Sequence, residues 1–248
     1  METSRPPRLS LVVPAYNEER YLPRLLDSID AARAAYARGR GAVEVIVADN
    51  ASTDRTAAVA AARGCRVARI EKRAIAAARN GGAAIARGEI LCFTDADGRI
   101  HPATFDAIDR ALGSGRAVAG ATGATLDRWT PGRALSFALL VPLAWLTGMD
   151  TGVVFCRRED FEAVGGYDES RLFAEDVLLL WQLRRLGRRD GRRLVRLRGV
   201  KTVASTRKFD EHGEWHYFTE MPALAWRMLF RRSAANEFAD RYWYRPER

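Results

Sequence analysis

Short, almost wholly apolar runs recur along this chain, each followed by a stretch of helical periodicity. Leu9-Ser-Leu-Val-Val13, Val43-Glu-Val-Ile-Val-Ala48 and Ile90-Leu-Cys-Phe-Thr94 lack the strict alternation of a half-exposed strand. They read as strands buried on both faces of a parallel sheet. Between them, Leu22, Leu25, Leu26 and Ile29 place a helix within Glu18 to about Arg38, with Pro23 early enough to be tolerated. Asp49-Asn-Ala-Ser-Thr-Asp54 supplies turn and capping residues for an alanine-rich helix over Thr56 to Arg63, with Asp54 and Ser52 as its caps. Cys65 to Ile70 reads as a third strand, and Ala74 to Ala86 as a helix interrupted at Gly81-Gly82. Strands and helices that alternate in this way predict an α/β fold, with helices on both faces of a Rossmann-like, mostly parallel central sheet. Ligands of such sheets bind beyond the carboxyl ends of the strands.

Beyond residue 100 the pattern loosens. Helices are expected over Pro102 to Leu112, Ala134 to Leu146 and Glu175 to Leu186, and strands over Ala117 to Ala121, Gly152 to Cys156 and Lys201 to Ser205. Ala134 to Leu146 is shorter than the ~20 apolar residues that span a bilayer, and Pro142 breaks it, so it reads as a buried helix. With 248 residues and neither repeat nor low-complexity linker, the chain reads as a single domain. Within it, residues 9–100 form a regular ligand-binding half, 101–205 a less regular second half and 206–248 an aromatic and basic tail.

The three cysteines, Cys65, Cys92 and Cys156, have neither CxxC nor Cys/His ligand spacing and read as free thiols. No apolar run precedes the first strand, so no signal peptide is expected and a cytoplasmic setting is. The net charge of +9 favours acidic partners. It comes largely from arginine, and a compositional bias explains arginine over lysine without explaining the excess of bases over acids.

The polar residues that interrupt the apolar pattern gather at the expected strand ends. Asp95-Ala-Asp97 follows the fourth strand, and Gly98 allows the turn that brings both carboxylates together as a hard-oxygen site for Mg²⁺ or Mn²⁺. Ordinary turns hold such pairs too; the position after a buried strand is what favours the metal. Asp49 ends the second strand, where a carboxylate reaches a base edge or ribose hydroxyl, or else caps a helix. Glu175-Asp176 opens a helix in which Val177, Leu178, Leu180 and Leu183 fall at core spacing. There the helix dipole stabilises an acid whether or not it acts as a general base.

Taken in order, several motifs resemble those of the family-two inverting glycosyltransferases of GT-A fold. They are Val12-Val-Pro-Ala-Tyr-Asn-Glu18, Asp49-Asn-Ala-Ser-Thr-Asp54, Ala78-Arg-Asn-Gly81 with Ala86-Arg-Gly88, Asp95-Ala-Asp97, Val164-Gly-Gly-Tyr-Asp168 and Glu175-Asp176. The resemblance implies donor contacts at Pro14, Tyr16, Glu18, Asp49, Arg79, Asn80 and Asp95, and a metal at Asp95 and Asp97. It makes Asp176, beside Glu175, the catalytic base. The implied donor is a nucleotide-diphosphate sugar, foremost a UDP-sugar. Met149-Asp-Thr-Gly152 departs from the acceptor-side pattern, and Trp181-Gln-Leu-Arg-Arg185 lacks the order found in processive members, so transfer of a single sugar is expected. Arg207 and Lys208 resemble a basic segment able to pair with the leaving diphosphate. His212 reads as a solvated loop residue rather than a third metal ligand.

From Arg184 to Lys201 arginines crowd the chain, either as a solvated helix end and loop or as a surface for a polyanion. An acidic acceptor is expected, a polyprenyl phosphate or other lipid phosphate met peripherally at the inner face of a membrane, or a hydroxylated base in nucleic acid. Trp215, Tyr217 and Trp226 suit either. Two other classes compete. A nucleotidyltransferase needs a glycine-rich loop where Pro14-Ala-Tyr-Asn-Glu-Glu19 stands, and a non-catalytic binding module of the same fold needs none of the acids that are present.

Overall fold

The computed structural model describes residues 6–132, 134, 135, 138, 151–171 and 175–207. Its elements are β1 (Leu9–Ala15), α1 (Leu22–Ala35), a 3-10 turn (Arg40–Ala42), β2 (Val43–Asp49), α2 (Thr56–Ala62), β3 (Arg66–Arg69), α3 (Ile75–Ile85), β4 (Ile90–Phe93), α4 (Thr104–Gly113), β5 (Ala117–Ala121) and β6 (Ala124–Leu126). They continue with β7 (Val154–Arg157), α5 (Arg158–Ala163), α6 (Glu175–Arg189), β8 (Arg193–Arg196) and β9 (Thr202–Ala204).

A seven-stranded sheet in the order β3-β2-β1-β4-β7-β5-β8 forms the centre, with β6 and β9 paired separately. Every neighbouring pair is parallel except those made by β7, which runs against both β4 and β5. The central strands are apolar on both faces because both faces are covered. Leu9, Leu11 and Val13 of β1 pack with Leu22, Leu25 and Ile29 of α1 and Phe105 and Ile108 of α4. Val12, Ile46, Leu91 and Phe93 point the other way, into a layer with Ala78, Phe161, Leu179 and Leu183 from α3, α5 and α6. Each such aliphatic side chain contributes about 1.5–3 kcal/mol by leaving water.

Several expectations need correction. Helix α3 is continuous through Gly81 and Gly82 rather than interrupted there. The glycines instead let it lie close: a Cβ on Gly82 would stand 2.4 Å from Val12 Cγ1. Helix α1 starts at Leu22, not Glu18, because residues 16–20 are drawn toward the loop after β2. Strand β8 lies within the arginine-rich stretch read as helix end and loop. Its two apolar residues serve opposite layers, Val195 packing against the layer that holds α1 and α4 and Leu194 against the layer that holds α3 and α6. Val177 of α6 is 46% exposed, because the buried face of the helix is centred on Leu179, Leu180, Leu183 and Gly187. Strand β6 and helix α5 had no counterpart in the sequence reading. Most of Ala134 to Leu146, and Lys208, His212, Trp215, Tyr217 and Trp226, fall outside the described residues. Among the described residues no helix is long and apolar enough to cross a membrane.

Candidate active site

Three loops meet at the carboxyl ends of β1, β2 and β4. Pro14 lies in register with Ala48 of β2. The Val12 carbonyl accepts from Thr94, where the β4 ladder ends, so Pro14, two residues on, faces the same side beyond it and its missing donor leaves no gap. The chain then turns through Asn17 at φ 54°. The loop is fastened to the one after β2: Asn17 N–H donates to Ser52 Oγ (3.0 Å), Thr53 N–H to Asn17 Oδ1 (2.8 Å) and Glu18 N–H to Thr56 Oγ1 (2.8 Å). Ser52 therefore serves this junction rather than the start of α2, whereas Asp54 does accept from Thr56 N–H at 2.9 Å. Asp49 is buried at the end of β2 and accepts from Ser52 N–H (3.2 Å). Asn50 donates to the carbonyls of Ile70 and Lys72, holding the next loop in place. In that loop the Arg73 guanidinium lies 4.3 Å from the centre of the Tyr16 ring.

The acidic groups are organised by Arg79, which enters from α3 with its side chain only 4% exposed. Nη1 donates to Glu175 Oε1 at 2.7 Å and lies 3.0 Å from Asp176 Oδ1, while Nη2 donates to Asp95 Oδ1 at 3.0 Å. One guanidinium thus joins the end of β4 to the start of α6. Its face lies 5.1 Å from the Tyr167 ring, whose hydroxyl donates to Asp176 Oδ1 at 2.8 Å. Tyr167 is set by Asn80, which donates to the Tyr167 carbonyl and accepts its N–H, both at 2.9 Å.

Burial dominates the ionisation of this cluster. It pushes the Asp176 and Glu175 carboxyls upward; Arg79 opposes the rise and the charge of Asp95 adds to it. Burial also works against the charge on Arg79, but Asp176, Asp95 and Glu175 outweigh it and hold the guanidinium protonated.

A second cation, Arg207, makes a two-pronged contact with Glu18, at 3.1 Å and 3.0 Å, and lies 3.6 Å from Asp97 Oδ2. Burial pushes the Glu18 carboxyl up to about 7 against the pull of Arg207, with Asp97 and Asp95 adding to the rise. Asp95 and Asp97 thus each face an arginine, Asp95 with its side chain 65% exposed. Among the described residues no group of three or more His, Cys, Asp or Glu side chains is arranged to hold a metal. Two carboxylates at an open strand end nevertheless fit Mg²⁺ or Mn²⁺, which complete their shells with phosphate oxygens and water.

The expected residues Glu18, Arg79, Asp95, Asp97, Glu175, Asp176 and Arg207 are thus brought together, and Asp49 and Asn80 are placed in adjoining loops. Tyr167, which touches the expected base, was given no role from the sequence; its one signal was a place within Val164-Gly-Gly-Tyr-Asp168. Arg79, expected as a donor contact, is engaged by Glu175, Asp176 and Asp95 of the chain, apart from Nε, which finds no hydrogen-bond partner among the described residues.

Residues 10–165 match the family model described as glycosyl transferase family 2. Dolichyl-phosphate beta-glucosyltransferase of Drosophila melanogaster is 38% identical over 122 residues, 45% of this chain and 37% of that protein, so the match spans little more than a third of the relative. Among solved structures, the mannosyltransferase PcManGT from Pyrobaculum calidifontis, in complex with GDP-Man and Mn²⁺, has a TM-score of 0.65 at 23% identity, covering 81% of this chain and 57% of that one. S. aureus TarS 1-349 has a TM-score of 0.63 at 19% identity, covering 81% and 61%. These two likenesses show the fold. Glucosyl-3-phosphoglycerate synthase from Mycobacterium tuberculosis, in complex with Mn²⁺, UDP and glucosyl-3-phosphoglycerate, has a TM-score of 0.57 at 25% identity, covering 83% and 74%. The sheet order, the carboxylates at its strand ends and a family match over more than half the chain lead to one conclusion: the protein belongs to glycosyl transferase family 2 and has the GT-A fold.

Proposed function

We propose that this chain transfers a single sugar, with inversion, from a nucleotide-diphosphate sugar to an acidic acceptor, with Asp176 as general base. The observation that carries the reading is the Arg79 junction, which gathers Asp95, Glu175 and Asp176 from separate elements at the ligand-binding end of the sheet. In the proposed step the acceptor oxygen, the P–OH oxygen of a phosphate monoanion where the acceptor is a lipid phosphate, attacks the anomeric carbon as its proton passes to Asp176. The bond from that carbon to the diphosphate breaks, and the electron pair leaves with the nucleotide. The desolvated carboxyl of Asp176, its affinity for a proton raised by burial, suits that task. Tyr167 and Arg79 fix its orientation, both contacting Oδ1.

Asp95 and Asp97 are the residues to hold Mg²⁺ or Mn²⁺, and when bound the cation neutralises charge on the departing diphosphate. Structural relatives are seen in complex with Mn²⁺ and UDP or with Mn²⁺ and GDP-Man, which supports a divalent cation and a nucleotide sugar; a UDP-sugar is our first choice. For the acceptor we favour a lipid phosphate, on the name of the dolichyl-phosphate glucosyltransferase relative. Such an acceptor places the chain peripherally at a membrane.

The test is Asp176→Asn, which keeps the size of the side chain and removes the base. Transfer from UDP-sugars to polyprenyl phosphate is expected to fall by about 10²–10⁴-fold, the usual contribution of general-base catalysis, with donor affinity nearly unchanged. Asp97→Ala is expected to weaken Mn²⁺-dependent donor binding, read as loss of the donor-induced rise in Tm. Undiminished turnover in Asp176→Asn would remove the assignment of the base.

A further inference from the structure

Helix α6 has two faces of different character. Leu179, Leu180, Leu183 and Gly187 are buried. Val177, Trp181, Arg184 and Arg188 recur at spacings of four, three and four residues, which places them on one stripe. Val177 is 46% and Trp181 50% exposed, and Arg188 is exposed near the end of the helix. Beside that end lies a groove of about 430 Å³, lined by Arg184 and Arg188 and by Arg193, Arg196 and Arg198 from β8 and the segment after it. Arg192 also borders it, but grips the buried carboxylate of Asp160 at 2.7 Å and 2.9 Å and so belongs to the fold.

Because β8 is the edge of the seven-stranded sheet, its charges could serve only to prevent pairing with another chain. That role accounts for arginines on β8 and leaves the apolar and aromatic half of the α6 stripe without a purpose. A nucleic-acid backbone would likewise engage the arginines and find no use for an exposed valine beside the tryptophan. An anionic bilayer uses both: guanidiniums meet phosphates, and an indole with an aliphatic neighbour sits at the headgroup boundary.

We propose that this face, Val177, Trp181, Arg184 and Arg188 of α6 together with the β8 groove, docks on an anionic phospholipid membrane. The same helix begins with Glu175 and Asp176 and extends ~22 Å, at 1.5 Å per residue, so docking lays its length along the lipid surface while the buried carboxylates at its start stay on the protein side. This deepens the proposed lipid-phosphate acceptor, but it stands on the stripe and groove alone and is tested without donor. A failed transfer assay therefore leaves it intact, and a failed docking assay leaves the transfer reading intact.

The experiment is partition of the full chain onto vesicles of phosphatidylcholine alone and of phosphatidylcholine with phosphatidylglycerol. Binding is expected only to the latter, weakening as salt is added. Arg188→Ala with Arg193→Ala is expected to weaken it roughly 25-fold, about fivefold per arginine. Trp181→Ser should weaken binding while retaining the salt dependence. Thermal melts confirm that each variant is folded, and Arg188→Gln alone, at an exposed position, is the fallback, with roughly a fivefold loss expected. Inorganic diphosphate serves as soluble competitor: little displacement supports the bilayer, and complete displacement assigns the groove to a free anion and overturns the proposal. So does equal partition onto both vesicle types, unchanged binding in the arginine variants, or capture of a duplex oligonucleotide without vesicle binding.

Discussion

Arg79→Met tests whether one buried guanidinium holds the acidic site together. Methionine is long, flexible and apolar enough to fill much of the space. What it lacks is the charge that lies within 3.0 Å of Glu175, Asp176 and Asp95. Removing one partner of a buried ion pair costs about 3–5 kcal/mol, because the remaining charge stays buried without compensation. That is a large part of the ~5–15 kcal/mol that stabilises an ordinary domain. The loss must also depend on pH. Arg79 opposes the upward shift that burial imposes on Glu175 and Asp176, so without it their folded-state pKa values rise further above the unfolded ones. A carboxyl with a raised folded pKa gives stability that is present at low pH and lost as pH rises through that value. The deficit of Arg79→Met against wild type is therefore expected to be smaller at pH 5 than at pH 8, because protonation of the acids removes the charge that Arg79 compensates. Urea melts at both values measure it. A deficit below about 1 kcal/mol, or the same at both pH values, would refute the idea that Arg79 compensates buried carboxylates.

Two further outcomes follow from the same geometry. Glu18→Gln should alter the pH profile: Glu18 titrates near 7 in the folded chain against 4.5 as a free carboxyl, so stability falls as pH rises across that window, by at most about 3 kcal/mol. Stability curves of wild type and variant should diverge between pH 5 and 8, and parallel curves would show that Glu18 is ordinarily ionised. Gly82→Ala is expected to cost about 1–3 kcal/mol in urea melts, since the new methyl stands 2.4 Å from Val12 Cγ1; an unchanged midpoint would mean that α3 shifts freely.

The first half of the fold was legible because β1, β2 and β4 are covered on both faces, which forces apolar residues at nearly every position. Asp95 and Asp97 were legible for the related reason that carboxylates directly after such a strand have no place in its core. Strand β8 was hidden because an edge strand needs only Leu194 and Val195 inside, and arginines around them resemble a solvated loop. The reversal of β7 depends on pairing partners that local composition does not encode. Arg79 carries a signal in the sequence: a basic residue within the alanine-rich stretch Ala74 to Ala86, on the face that must be buried, demands acidic partners. Which acids answer it is decided by the meeting of α3 with α6, 96 residues apart in sequence.

The two arginines divide the acidic groups unequally, and that division bears on how a donor enters. Glu18, Asp95, Asp97, Glu175 and Asp176 outnumber Arg79 and Arg207; burial raises the pKa of Glu18, Glu175 and Asp176 despite their cationic partners, and neighbouring acids add to the rise. The excess of negative charge lies where a divalent cation is proposed, so its binding relieves repulsion already present. Arg79 is enclosed and braces elements of the fold, and releasing it would expose buried carboxylates to one another. Arg207 is 24% exposed, and its 3.6 Å approach to Asp97 is looser than any contact Arg79 makes with an acid. Of the two, Arg207 is the cation proposed to meet a donor phosphate, while Arg79 holds Asp176, the proposed base.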